Sequence, residues 1–154
     1  MLEVKKVGII SCSGEEFAGG CLSRIASRRV LESSRPGRTV TICLPLFLAG
    51  GEEERYFTQN FPTITIDGCE KRCAFRATER LSGKVTKAMT VSEMLGQDVA
   101  IDAPFSQRQL NSEREKQIEK VRIALTEAVD EIIGKTSEED VITPLNPPPG
   151  MRLL

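Results

Sequence analysis

Short apolar runs rich in β-branched residues, each followed by a stretch at helical spacing, constrain this chain more than any other feature. "VKKVGIISCSG" carries Val7, Ile9 and Ile10 and stops at Cys12-Ser13-Gly14, "TVTICL" spans Thr39 to Leu44, and "TITID" spans Thr63 to Asp67. Runs of this length and composition read as strands buried in a sheet. "KVTKAMTV" reads as a fourth strand. After the first strand, Leu22, Ile25, Ala26, Arg29 and Val30 fall on one side of a helix of about four turns, Phe17 to Ser33. "SRPGR" ends it, since proline and glycine both oppose helix continuation. "PLFLAGG" reads as a loop or a broken first turn, "EEERYFTQN" as a short helix, and the helix carrying Cys73 is expected to end near Gly83. Parallel neighbours in a sheet need such crossovers. The alternation therefore selects an α/β fold of three layers: a mostly parallel sheet with helices on both faces, its strand order expected to begin 2-1-3.

The remainder follows a different pattern. "SEMLGQ" reads as one helical turn with Ser92 as N-cap, and "DVAIDAPFSQ" as loop or short strand. The clearest helix is Ser112 to Ile133. Its apolar stripe is Ile118, Val121, Leu125, Ala128, Val129 and Ile132, with a Ser112/Glu115 capping box and Gly134 as the stop. "TPLNPPPGMRLL" cannot extend a sheet or helix and is expected to be extended or disordered. The expected organisation is one α/β metal-binding domain over 1–142 and a Pro-rich tail over 143–154.

Composition removes several classes of function. A chain of 154 residues closes a core without disulfides or metal. Its formal charge of −1 gives no general attraction to nucleic acid or to an anionic membrane. "MLEVKKVGII" lacks the pattern of a secretory signal, and "ICLPLFLAGG" is too short to span a bilayer. A cytoplasmic location is expected, where thiols stay reduced and act as ligands or reactive groups. The chain contains no histidine. Ser-His-Asp and Cys-His catalysis are excluded, as is any metal site built on imidazole.

The cysteines then carry the argument. Cys12 ends the first strand, Cys43 the second, Cys69 follows the third, and Cys73 lies one helical turn further on. In a parallel sheet these strand ends share one edge, with neighbours about 4.8 Å apart, and that edge is where open α/β sheets bind ligands. Cys69 and Cys73 stand at a helix N-terminus, expected to lower a thiol pKa. Four thiolates suit tetrahedral Zn²⁺, with Zn–S near about 2.3 Å, and the same sulfurs accept iron. The competing reading is plain packing, because cysteine is a common core residue. The Cys-x₃-Cys spacing matches no zinc knuckle.

"CSG" at Cys12 to Gly14, "CLPLFLAGG" at Cys43 to Gly51 and "IDGCEKRCA" at Ile66 to Ala74 resemble, in that order, the motifs of the DGC domain family. These are small bacterial and archaeal proteins taken to bind zinc and named for their Asp-Gly-Cys. The resemblance covers roughly the first ninety residues. It implies a zinc site on Cys12, Cys43, Cys69 and Cys73, and brings no reaction or substrate. Cys21 matches no family position and reads as a packed small residue, a spare ligand or a resolving thiol.

Other features fall beside this one. Asp67 reads as an acceptor for amides in the cysteine loops, or as an ordinary turn aspartate. Gly68 is expected to allow close backbone approach or positive φ. "SGEEFAGG" fails as a phosphate loop: the lysine position is Gly20, and Glu15 and Glu16 repel phosphate. Leu46 to Leu48 read as a lid over the site or as core. Arg72, Arg76 and Arg80 form a basic stripe, most simply a solvated helix face. The expectation is thus a metal-binding protein in a sensing, carrier or structural role. Two alternatives stay open: a thiol redox or sulfur-transfer enzyme using Cys69 or Cys73, and an adaptor presenting the arginine stripe or the tail to a partner.

Overall fold

The computed structural model describes residues 5–12 and 14–139. The Pro-rich tail, the expected domain end and Ser13 lie outside them. Four strands, β1 (Val7–Ser11), β2 (Thr39–Thr41), β3 (Thr63–Asp67) and β4 (Lys87–Thr90), form one sheet in the order β2-β1-β3-β4. All pairs are parallel: Ile9 stands beside Thr41 on one side and Ile64 on the other, and Asp67 beside Thr90. The fold is α/β, as the alternation predicts, and its order begins 2-1-3, as expected.

The strand period of two divides the core. Val7, Ile9, Ile64 and Ile66 pack on one face with α1 (Ala18–Arg29) and the long C-terminal helix α8 (Ser112–Glu139). Ile10, Cys12 and Val40 pack on the other with α2 (Leu44–Leu48), α4 (Phe57–Asn60) and α5 (Cys73–Leu81). The remaining short helices are α3 (Glu52–Arg55), α6 (Val91–Leu95) and α7 (Gln97–Ala100). Every residue of the stripe predicted for α8 is buried. Arg29, polar within the α1 stripe, forks onto Glu115 with two bonds of 2.9 Å and reaches Glu119 at 3.1 Å, joining α1 to α8. Each guanidinium–carboxylate fork fixes orientation as well as distance.

Element ends depart from expectation for local reasons. α1 passes into a wider π-type turn over Val30–Ser34 instead of remaining α-helical. β2 stops at Thr41, because Leu44-Pro45 begins α2; proline is favoured in a first turn, where its missing N–H has no partner to lose. Thr90, not Ser92, caps α6: it has extended backbone, and its hydroxyl accepts from the Glu93 amide. Asn111, not Ser112, caps α8 by accepting from the Arg114 amide at 2.8 Å. α8 also runs through Gly134 to Glu139. A helical glycine costs only about 1 kcal/mol, so it slows a helix without ending it.

Candidate functional site

Cys12 leaves β1 at the centre of the carboxyl edge, and its own amide bonds the Ile66 carbonyl at 3.0 Å, continuing the ladder past the strand. The side chain is buried. The Gly68 amide donates to Cys12 Sγ at 3.3 Å, and the Ser23 hydroxyl of α1 lies 3.4 Å from the same sulfur. An N–H aimed at sulfur is typical of the groups that surround sulfur-bound metals.

Beyond Gly68 the chain turns through Cys69, Glu70 and Lys71, closed by the Arg72 amide on the Cys69 carbonyl at 3.2 Å. Arg72 adopts left-handed backbone, φ 52°, the one described non-glycine residue with positive φ. That conformation costs about 1–2 kcal/mol. It also turns the chain sharply enough for Cys73 to begin α5. The Arg72 guanidinium is stacked over the Phe75 ring at 4.1 Å, which offsets part of the cost. Its Nε is buried and has no hydrogen-bond partner among the described residues.

Asp67 holds this turn from the strand side. Its carboxylate, 1 % exposed, accepts from the Ala74 amide at 2.7 Å and the Phe75 amide at 3.1 Å. No residue adjoining α5 caps it, so Asp67 satisfies its first amides from six positions upstream. This is the amide-accepting role read from the sequence. Burial pushes the Asp67 pKa up, against the two amide bonds and the Arg72 charge, which pull it down.

The same bonds correct the expectation of an activated thiol at this helix start. Burial, then the Asp67 carboxylate, then the Cys12 and Cys69 thiols raise the Cys73 pKa. The amides that would have stabilised a thiolate are already occupied by Asp67, which replaces their field with a negative charge. At Cys73 the helix start therefore brings no net lowering of the thiol pKa.

Glycines lock the loops around the site. A Cβ on Gly20 would collide with the backbone of Gly14, one on Gly68 with Gly19 and Gly20, and one on Gly19 with the Gly68 carbonyl. The chain leaving β1, the first turn of α1 and the Asp-Gly-Cys turn therefore touch backbone to backbone. Gly68 serves close approach and not positive φ.

Asp67, Cys12 and Cys69 thus each lie within electrostatic reach of Cys73. Cys43 stands exposed as the N-cap of α2 instead of ending a strand, across β1 from the other loop. Cys21 is buried in the first turn of α1, its sulfur 3.9 Å from Arg24 Nη2. Among the described residues no three Cys, Asp or Glu side chains are gathered tightly enough to hold an ion. Within the expected lid Phe47 is core, while Leu46 and Leu48 are exposed. Arg76 and Arg80 form a solvated face, whereas Arg72 belongs to the cysteine turn. Composition offered no signal for that: an arginine in left-handed backbone looks like any arginine in sequence. Among the described residues no helix is long and apolar enough to cross a membrane.

No curated protein and no solved structure matches the chain. The model of one family, the DGC domain, matches residues 8–121 of the 154. The match runs past the first ninety residues, where the motifs lie, through β4, α6 and α7 into the first turns of α8. Covering the sheet and the whole cysteine-bearing edge, it shows that the chain belongs to the DGC domain family.

Proposed function

We propose that this protein binds one Zn²⁺ through Cys12, Cys43, Cys69 and Cys73, in a sensing or carrier role with no reaction assigned. The observation that carries the reading is the Cys12 environment: a buried sulfur with an amide aimed at it, beside two further thiols on the Asp67-anchored turn. The donor set fits the ion. Thiolates are its preferred ligands, and the buried amide offsets part of the negative charge that four sulfurs bring. When bound, zinc keeps its thiols deprotonated at neutral pH, reversing the upward shift at Cys73.

The protein's own contribution is positioning. Asp67 fixes the start of α5 and with it Cys73, Gly68 directs its N–H at Cys12, and the glycine contacts hold both loops together. Cys43, exposed and on a separate short helix, must move to close the set, and the other three sulfurs must draw closer together as well. Exposure of Cys43 and Cys73 favours an exchangeable ion over a buried structural one. A domain of this length also needs no metal to fold.

Elemental analysis of protein purified without added metal tests the reading. About one zinc per chain is expected, with loss of metal on Cys→Ser change at each of the four positions and retention in Cys21→Ser. Substoichiometric metal with all five thiols freely titratable would sink it. A reddish protein would assign iron in place of zinc.

A further inference from the structure

A cavity of about 440 Å³ lies at the carboxyl ends of β1 and β2, between them, α1 and the segment that leads into α8. It is distinct from the thiols beside Asp67, and Cys21 is the one cysteine in its wall. Its volume falls in the range of small-molecule sites, about 300–1,000 Å³. Its position at the strand ends is where open α/β sheets take their ligands.

The wall is cationic. Arg24 and Arg28 both line it and, among the described residues, no carboxylate does. Arg24 Nε is buried with no hydrogen-bond partner among the described residues, a donor that a bound acceptor would satisfy. Both arginines have acidic partners, but outside the lining. Arg24 Nη1 pairs at 3.0 Å with Glu15, whose side chain is 78 % exposed, and Arg28 pairs with the exposed Glu32 one turn on. Such solvated pairs are weak and yield readily to an anion held inside a cavity. Ser11 and Gln107 add polar groups with no side-chain hydrogen bond among the described residues. Phe105 supplies an apolar wall, itself held by the Arg114 guanidinium 4.8 Å from its ring centre.

We infer that this cavity binds a small organic anion: a carboxylate or phosphate group seated on Arg24 and Arg28, carried on a compact apolar body that lies against Phe105. The inference stands apart from the zinc reading, since no proposed metal ligand lines the cavity.

The test is an amide NMR titration of the as-purified full chain with benzoate, phenyl phosphate and, as a neutral match, benzyl alcohol. At least one of the two anions is expected to give saturable shifts at Ser11, Arg24, Arg28 and Gln107, and benzyl alcohol none. The anion that saturates at lower concentration identifies the head group. Arg24→Gln is expected to weaken binding about tenfold, the effect of losing one charge-assisted bond. Arg28→Gln, on an exposed side chain, gives a second reading should the first variant fold poorly. Failure of both anions to saturate by about 10 mM, equal binding of benzyl alcohol, shifts centred on Cys69 to Phe75, or unchanged affinity in both variants would each overturn the inference.

Discussion

Asp67 offers the most demanding test of how the cysteine turn is held. Replacing it with alanine removes both bonds to the α5 amides and leaves those donors without their acceptor beside a buried residue. A hydrogen bond to a charged group contributes about 1.5–3 kcal/mol, so two give about 3–6 kcal/mol before relaxation. Water reaching the vacated space reduces the loss, and about 3 kcal/mol is the working expectation. That amounts to a fall in melting temperature of about 6–12 °C for a domain of this size. Asp67→Asn separates charge from shape. Its carbonyl keeps one amide while its NH₂ opposes the other, at a cost of about one such bond. Against that, a neutral amide is easier to bury than the carboxylate, whose pKa burial already pushes up. Asn should therefore destabilise by about 1 kcal/mol, clearly less than Ala. Urea unfolding of the metal-free chain reads both, and zinc uptake should fall in the same order because Cys73 begins the helix Asp67 anchors. Wild-type stability and wild-type zinc content in Asp67→Ala would refute the reasoning.

Glycine substitutions should have opposite signs at two positions. Gly20→Ala forces apart the Gly14 and Gly20 backbones and should cost about 1–3 kcal/mol. Gly134→Ala, inside α8 with open space around its Cα, should stabilise by about 0.5–1 kcal/mol. Thermal unfolding of the pair checks both. The Arg29 fork predicts an acid effect: its hydrogen bonds hold Glu115 below the usual glutamate range, and with Arg122 they lower Glu119. Carboxyls lowered in the folded state stabilise it above their ordinary pKa, and that contribution is lost as pH falls through the lowered values. Arg29→Met should therefore flatten the decline in stability just below the ordinary glutamate pKa, measured by urea unfolding across pH. A decline as steep as in the wild type would remove the fork from the account.

What could be read beforehand follows the range over which each force acts. β1, β3 and the α8 stripe were legible because burial repeats with a fixed period, and that period is written in the residues themselves. Parallel pairing follows from crossover geometry, whereas the order beginning 2-1-3 is an expectation that the alternation alone does not fix. The end of β2 is not legible in the sequence because Ile42 and Cys43 continue an apolar run, while the signal that stops it, Pro45 in a first turn, lies two residues further on. The sequence points to Ser92 and Ser112 as caps, but the caps are Thr90 and Asn111, since capping depends on backbone angles that neighbours in sequence do not specify. In the site, four cysteines were visible as an edge, but the position of Cys43 depends on where α2 begins. The Cys73 shift is not legible in sequence, because the identity of the group occupying the α5 amides is a fact of three dimensions and Asp67 sits on a different element.

The backbone contacts among Gly14, Gly19, Gly20 and Gly68 have a dynamic consequence. Segments packed without intervening side chains have no soft layer to deform, so neither can loosen while the other stays in place. The Gly20 amide bonds the Phe17 carbonyl at 3.2 Å and the Gly68 amide bonds Cys12. The expectation is that both protons are released by one event. In deuterated solvent they should exchange at a shared rate, set by a single opening of the whole edge, and the segment bearing Cys43 should exchange on a schedule of its own.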